Sequence, residues 1–214
     1  MMKNKLNDNK KKTIVIALVL LLFILISFAE LFLDAYKIRI LNLCGINIIL
    51  ALSLNLTNGF TGMFSLGTAG FMSIGAYVTA IMTMPLDVKT MNFFMMPMHP
   101  FFEKLQLPFV LALILGGLLA GLVGFLIGAP VLRLKGDYLA IATLGFGEII
   151  AVIFTNLQTI TNGSLGLKGI PQSTNLFWSW GIAAFVVILF ALMLHSSYGR
   201  ALKAIREDEI AAQA

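Results

Sequence analysis

Pro108-Phe-Val-Leu-Ala-Leu-Ile-Leu-Gly-Gly-Leu-Leu-Ala-Gly-Leu-Val-Gly-Phe-Leu-Ile-Gly-Ala-Pro-Val131 runs for 24 residues without a charge. An uncharged apolar block longer than about 18 residues reads as a bilayer span, whereas a buried soluble helix is shorter or amphipathic. Blocks of this kind, set off by polar breaks, recur near Thr13 to Leu33, Ile40 to Leu56, Phe64 to Met84, Tyr138 to Thr155 and Phe177 to Leu194. The expected fold is all-α, a polytopic transmembrane bundle of about six spans. Composition agrees, because 59% of the 214 residues are hydrophobic and 12% are charged, against about 25% charged in a soluble domain. Too little polar surface remains to coat a water-soluble globule.

The formal net charge of +5 does not argue for nucleic acid, because Lys3, Lys5, Lys10, Lys11 and Lys12 precede an apolar run. Such a tail sets topology. With the amino terminus inside, the cytoplasmic side collects these five lysines, Arg133, Lys135, Arg200, Lys203 and Arg206, while Lys37, Arg39, Lys89, Lys104 and Lys168 fall outside. The two-to-one bias follows the positive-inside rule and puts both termini in the cytoplasm. The basic tail, the stretch from Ile14 to Phe28 and Ser27-Phe28-Ala29 together imitate a signal peptide. The apolar run continues through Leu31, Phe32 and Leu33, so an uncleaved first helix is expected. Cys44 is the only cysteine, which excludes an intrachain disulfide or a Cys-based metal site. His99 has no second His, Cys or carboxylate cluster beside it for a metal, and His195 reads as a helix-end cation.

The segment Asn55-Leu-Thr-Asn-Gly-Phe-Thr-Gly-Met-Phe-Ser-Leu-Gly67 is rich in amides, hydroxyls and glycines yet carries no charge. Irregular backbone at membrane depth survives only where protein or a water-filled cavity satisfies it, and transporters place such broken helices at substrate sites. Its candidate lining residues are Asn55, Thr57, Asn58, Gly59, Thr61, Gly62, Ser65 and Gly67; the plainer alternative is a tight turn between two spans. Glu148 stands in mid-span, where an ionisable group is costly and faces the bundle interior or a cavity. It reads as a polar lining of a translocation path, as a proton relay, or as a carboxyl held by neighbouring polar groups. Gly67, Gly70 and Gly75, and the pairs Gly117 with Gly121 and Gly124 with Gly128, read as helix-packing faces. Thr161 to Pro171 is a glycine-rich outer loop that lacks the Gly-Lys-Ser/Thr ending of a phosphate cradle. Residues 196–214 read as an amphipathic cytoplasmic helix capped near Ser197. Its Arg200, Lys203 and Arg206 precede Glu207, Asp208 and Glu209, against the helix dipole. That order is better explained by a partner surface than by self-stabilisation. No paired His or carboxylate set and no nucleophile with an evident base falls within the spans, so an intramembrane enzyme has little support.

Asn55 to Gly75, Leu132 to Glu148, the loop ending Gly-Ile-Pro171 and Gly199 to Ala212 together resemble the permease subunits of ATP-binding-cassette importers for branched-chain amino acids, in the hydrophobic amino acid uptake family. The resemblance implies a bacterial cytoplasmic-membrane protein that pairs with a second permease subunit, two cytoplasmic ATP-binding subunits and an external amino-acid-binding protein. It implies passage of Leu, Ile and Val, with no cofactor or metal on this chain and ATP used by the partners. Residues 1–12 would be the basic tail and 13–195 the permease domain. Residues 196–214 would be an incomplete coupling helix, in which Arg200, Arg206, Glu207, Asp208, Glu209, Ala211 and Ala212 meet the ATPases. The broader importer pattern places a glycine at position 216, so an amino-terminal fragment or a truncated product is expected. Alternatives are a permease for urea or amides, and an ion-coupled carrier that titrates Glu148.

Overall fold

The computed structural model describes residues 21, 23–94 and 96–207, and among these every regular element is helical. The helices are α1 (Phe23–Phe32), α2 (Ala35–Leu54), α3 (Thr68–Thr83), α4 (Leu86–Asn92), α5 (Pro100–Glu103), α6 (Phe109–Val131), α7 (Asp137–Asn156), α8 (Gln158–Thr161), α9 (Leu176–His195) and α10 (Ser197–Glu207). A π-helix, Asn55–Phe60, prolongs α2, and a single 3-10 turn, Gly163–Leu165, comes after α8. Among the described residues four apolar helices are long enough to cross a membrane: Ala35–Phe60, Phe109–Val131, Asp137–Asn156 and Leu176–His195. Their flanks carry exposed apolar side chains such as Phe125 (76%) and Leu192 (70%), as lipid-facing helices require. The chain is a polytopic helical membrane protein. The basic tail and most of the first expected span lie outside the described residues, as do Asp208, Glu209, Ala211 and Ala212.

The chain divides into two units. One comprises 1–52 and 174–203. Within it α2 meets α9 at a small polar crossing: the Ser179 hydroxyl donates to Asn42 Oδ1 at 2.5 Å and Trp180 Nε1 donates to the Leu41 carbonyl at 3.1 Å. Gly45 permits the approach, since a Cβ there would touch the Ser179 backbone at 3.4 Å. Asn175 caps α9 by accepting from Trp178 N.

The second unit comprises 53–173 and 204–214 and is organised around α3, which packs most extensively on α6 and then on α7. Close approach is set by glycine: a Cβ on Gly116 would lie 2.5 Å from Thr79 Oγ1 and 2.9 Å from the Gly75 carbonyl. A Cβ on Gly70 would lie 3.1 Å from Gly147 Cα. Of the glycine pairs expected to form packing faces, Gly117, Gly121 and Gly128 have no atom within 4 Å of such a Cβ, and Gly124 meets Phe71. The contact within this unit therefore uses Gly116, one residue round the helix. α3 begins at Thr68 rather than Phe64, because the four preceding residues are irregular, and its 16 residues are fewer than the about 20 of a full span.

Between α3 and α6 the described residues of 85–107 form a folded cap. Ile81, Phe93 and Met98 form its apolar centre, with Phe102, Ile160 and Leu167 packed against them. Asn92 ties α4 to the distant loop: its Nδ2 donates to the Lys168 carbonyl and its Oδ1 accepts from Lys168 N, both at 2.8 Å. Lys89 is 1% exposed, and its ammonium donates to the carbonyls of Phe102 (2.8 Å), Leu105 (2.6 Å) and Glu103 (3.5 Å). Burial pulls this lysine below its ordinary pKa of 10.5, and the Glu103 carboxylate pulls in the opposite direction. His99 accepts from Phe101 N at the start of α5.

Candidate functional site

The uncharged segment after α2 is neither a simple turn nor an open strand. Its first six residues form the π-helix, in which i→i+5 hydrogen bonding is kept by Thr61 N to the Leu56 carbonyl at 3.2 Å. The hydroxyls and amides supply what the widened backbone loses. Thr57 Oγ1 donates to the Leu54 carbonyl (3.1 Å) and to Asn58 Oδ1 (3.2 Å), while Thr61 Oγ1 donates to the Thr57 carbonyl. Asn58 Oδ1 also accepts from Ser65 N at 3.0 Å and folds the irregular stretch back onto the helix end. A Cβ on Gly59 would strike Asn55 Oδ1. These residues are thus partnered largely by one another.

Two contacts join the segment to the rest of its unit. Leu66 N donates to Thr143 Oγ1 of α7 at 3.0 Å, and a Cβ on Gly67 would lie 3.3 Å from the Thr143 carbonyl. On the other side Arg206 Nη1 donates to the Gly59 carbonyl at 3.2 Å, and Nη2 pairs with Glu207 at 2.8 Å. A cation at the carboxyl-terminal turn of a helix is where the backbone dipole favours one. Gly62 has φ +69°, and a Cβ there would lie 2.8 Å from Arg206 Cγ. Gly62→Ala is expected to cost about 1–2 kcal/mol through the left-handed backbone alone, with loss of the Arg206 contact in addition. Denaturant titration of the purified protein checks it. A cleft of about 340 Å³ surrounds this contact, lined by Thr61 to Phe64, by Leu132, Leu134 to Asp137 and Leu139, and by Ile205 and Arg206.

Glu148 lies in a different place. It lines a cleft of about 360 Å³ between α3 and α7, with Leu66, Ala69, Gly70, Ser73, Tyr77, Leu144, Gly147, Ala151, Phe154 and Thr155. Tyr77 and Phe154 close one side, with ring centroids 4.7 Å apart. The structure therefore separates the residues expected to share one path. Asn55, Thr57, Asn58, Gly59, Thr61, Gly62 and Ser65 gather at the end of α2, and only the Leu66–Gly67 end of the segment reaches α7. Among the described residues the exposed Glu148 side chain makes no hydrogen bond or ion pair.

Reading the sequence segment by segment missed Ser73, Tyr77 and Thr155. Ser73 and Tyr77 are spaced by four, as are Leu144 and Glu148, and Thr155 is seven beyond Glu148, so each set shares one helix face. That periodicity was the available signal. Of the residues expected on the coupling helix, Arg200 donates to Ser197 Oγ at 3.1 Å within α10, whereas Arg206 is engaged with Gly59 and Glu207 of this chain.

Residues 36–214 match the family described as the branched-chain amino acid transport system permease component. The chain is 35% identical over 208 residues to the high-affinity branched-chain amino acid transport system permease protein LivM of Escherichia coli (strain K12), covering 81% of this chain and 44% of that protein. It is 36% identical over 200 residues to the protein of the same description from Salmonella typhimurium, covering 78% and 43%. A probable branched-chain amino acid transport permease protein LivM of Methanocaldococcus jannaschii is 27% identical over 189 residues, covering 77% and 55%. The chain thus spans about half the length of the curated relatives it matches. No solved structure matches it significantly. With the match extending from the start of α2 to residue 214, the chain belongs to the family of branched-chain amino acid transport system permease components.

Proposed function

We propose that this chain is part of the permease subunit of an ATP-driven importer that passes Leu, Ile and Val across the bacterial cytoplasmic membrane. The α3–α7 cleft is the observation that carries this reading, because it sets a carboxylate among apolar and hydroxyl side chains on a helix long enough to span lipid. The segment Asn55 to Gly67 borders the path at one end of α7 through Leu66 and Thr143. A second permease subunit completes the path, an external amino-acid-binding protein delivers substrate, and two cytoplasmic ATP-binding subunits hydrolyse ATP. This chain binds no cofactor and runs no chemistry of its own. Both of its termini face the cytoplasm, and α10 begins the ATPase contact with Arg200, Arg206 and Glu207, continued by Asp208, Glu209, Ala211 and Ala212.

The relatives are all branched-chain amino acid permeases, which favours this substrate class over urea, amides or an ion-coupled mechanism. The full-length protein with its partner subunits is expected to restore ATP-dependent leucine uptake to a strain lacking its native system. Unchanged uptake would count against the reading.

A further inference from the structure

The aliphatic hydroxyls around Glu148 have already committed their protons. Ser73 Oγ donates to the Gly70 carbonyl at 2.7 Å, and Thr155 Oγ1 donates to the Ala151 carbonyl at 2.7 Å and to the Val152 carbonyl at 3.1 Å. A hydroxyl whose proton is engaged offers its surroundings only lone pairs, and an ionised carboxylate offers nothing else. Backbone N–H groups in the middle of α3 and α7 are held in their own helices. Among the described residues Tyr77 is the one side chain lining the cleft with a proton left to give, and no Lys, Arg or His lines it. The cleft is consequently rich in acceptors and carries one negative charge, with leucines, alanines and Phe154 around them.

We propose that this cleft holds the α-ammonium group of the transported amino acid, with Glu148 as its counter-ion. The inference rests on the permease reading above. An ammonium has three donors and no acceptor, the complement of what Glu148 and Ser73 present, while Thr155, two turns further along α7, adds lone pairs at the far end of the cleft. A carboxylate or phosphate would meet like charge and lone pairs, with the Tyr77 hydroxyl as the one side-chain donor to set against them. Taking an ammonium out of water is costly unless it is paired and hydrogen-bonded, and Glu148 without its ligand is an uncompensated carboxylate on a membrane helix. Each charge offsets the other's desolvation for as long as the substrate occupies the cleft. The apolar lining of Leu66, Leu144 and Phe154 accepts the aliphatic side chain.

The experiment uses the full-length protein in proteoliposomes with its partner subunits, leucine-loaded binding protein and ATP. Glu148→Gln keeps the shape and removes the charge; leucine uptake is expected to fall about tenfold to a hundredfold, the range for losing a hydrogen bond to a charged group. Stimulation of ATP hydrolysis by the loaded binding protein should persist, which reports an intact assembly, and Glu148→Asp should keep most of the uptake. A cysteine at the same position, Glu148→Cys in a background free of other cysteines, separates charge from fold. A sulfonate-bearing thiosulfonate adduct should recover uptake, while an aminoethyl adduct of similar size should not. Uptake by Glu148→Gln at the unmodified rate, or equal recovery by both adducts, overturns the ammonium site and leaves the permease reading standing. Collapse of wild-type uptake by a protonophore or by removal of sodium assigns Glu148 to a coupling ion and overturns it too. Failure of the wild-type assembly to take up leucine sinks the permease reading and the site with it.

Discussion

Gly116→Val is expected to destabilise the protein by about 2–3 kcal/mol, the upper part of the range for overpacking a closely fitted interior. The reason is the distance between α3 and α6. A Cβ at position 116 would fall 2.5 Å from Thr79 Oγ1 and 2.9 Å from the Gly75 carbonyl. Neither neighbour can move aside cheaply: the carbonyl belongs to helix backbone, and the Thr79 hydroxyl donates to that same carbonyl at 2.8 Å. The helices must separate, and in lipid little restores them, because helix association there depends on close van der Waals packing rather than on expulsion of water. Gly117→Val is the control, since apart from its chain neighbours and the adjoining backbone of α6 nothing described lies within 4 Å of a Cβ at that position. Its cost to the isolated chain should stay within about 0.5 kcal/mol. Unfolding in mixed detergent micelles, compared for the two variants, measures the difference; equal costs would refute the geometric account.

Replacing Lys89 with methionine should be nearly as damaging, although it turns a charged residue into an apolar one of similar length. The ammonium gathers the carbonyls of Phe102, Leu105 and Glu103 into one knot beneath the cap. Lys89→Met takes the ammonium from these part-buried acceptors, of which the Phe102 carbonyl keeps its backbone donors Lys104 N and Leu105 N, and an acceptor stripped of its partner costs about 1–3 kcal/mol. Against this, the variant escapes the desolvation of the charge, so the net effect is expected near 2 kcal/mol. The pH dependence carries the opposite sign to a surface lysine in an ion pair. Burial lowers the pKa in the folded state from 10.5, so the unfolded chain binds more protons in the interval between the two values. Stability therefore rises with pH in the window below 10.5, once the folded-state value is passed, and is flat below it where both states are protonated. Lys89→Met should lack that rise. Hydrogen exchange of the cap amides, followed across alkaline pH in both proteins, tests the slope.

Gly116 and Lys89 also mark how far the sequence can be read. The spans were legible wherever an apolar block ended at a polar residue: α6 runs from Phe109 to Val131 against an expected Pro108 to Val131. α2 begins earlier than expected, at Ala35, because Lys37 and Arg39 interrupt the hydropathy but not the helical hydrogen bonding. The late start of α3 was illegible for a different reason. Ser65 N and Leu66 N are satisfied by Asn58 and Thr143, and the second of these is 77 residues away. No local pattern announces a partner at that distance. Which face of α6 packs was equally hidden, because a helix that is apolar all round gives no preferred side. Lys89 looked like an ordinary external charge, and the carbonyls that hold it lie 13 to 16 residues downstream. Glu148 was visible as a lone charge in a span. The company it keeps became visible only when α3 and α7 were laid side by side.

The π-helix after α2 has a consequence in helical phase. An i→i+5 ladder holds about one residue more per turn than the α-helical ladder, so Asn55–Phe60 behaves as an insertion absorbed without a loop. Deleting one residue there would let the backbone relapse into ordinary α geometry, turning the residues downstream of it by roughly 100°. Asn58 would then swing away from Ser65, and Gly59 would no longer present its carbonyl to Arg206. A single-codon deletion should thus disturb the protein more than most substitutions in the same six positions. The extra residue is a spacer in angle, and the ends of two distant segments are set by it.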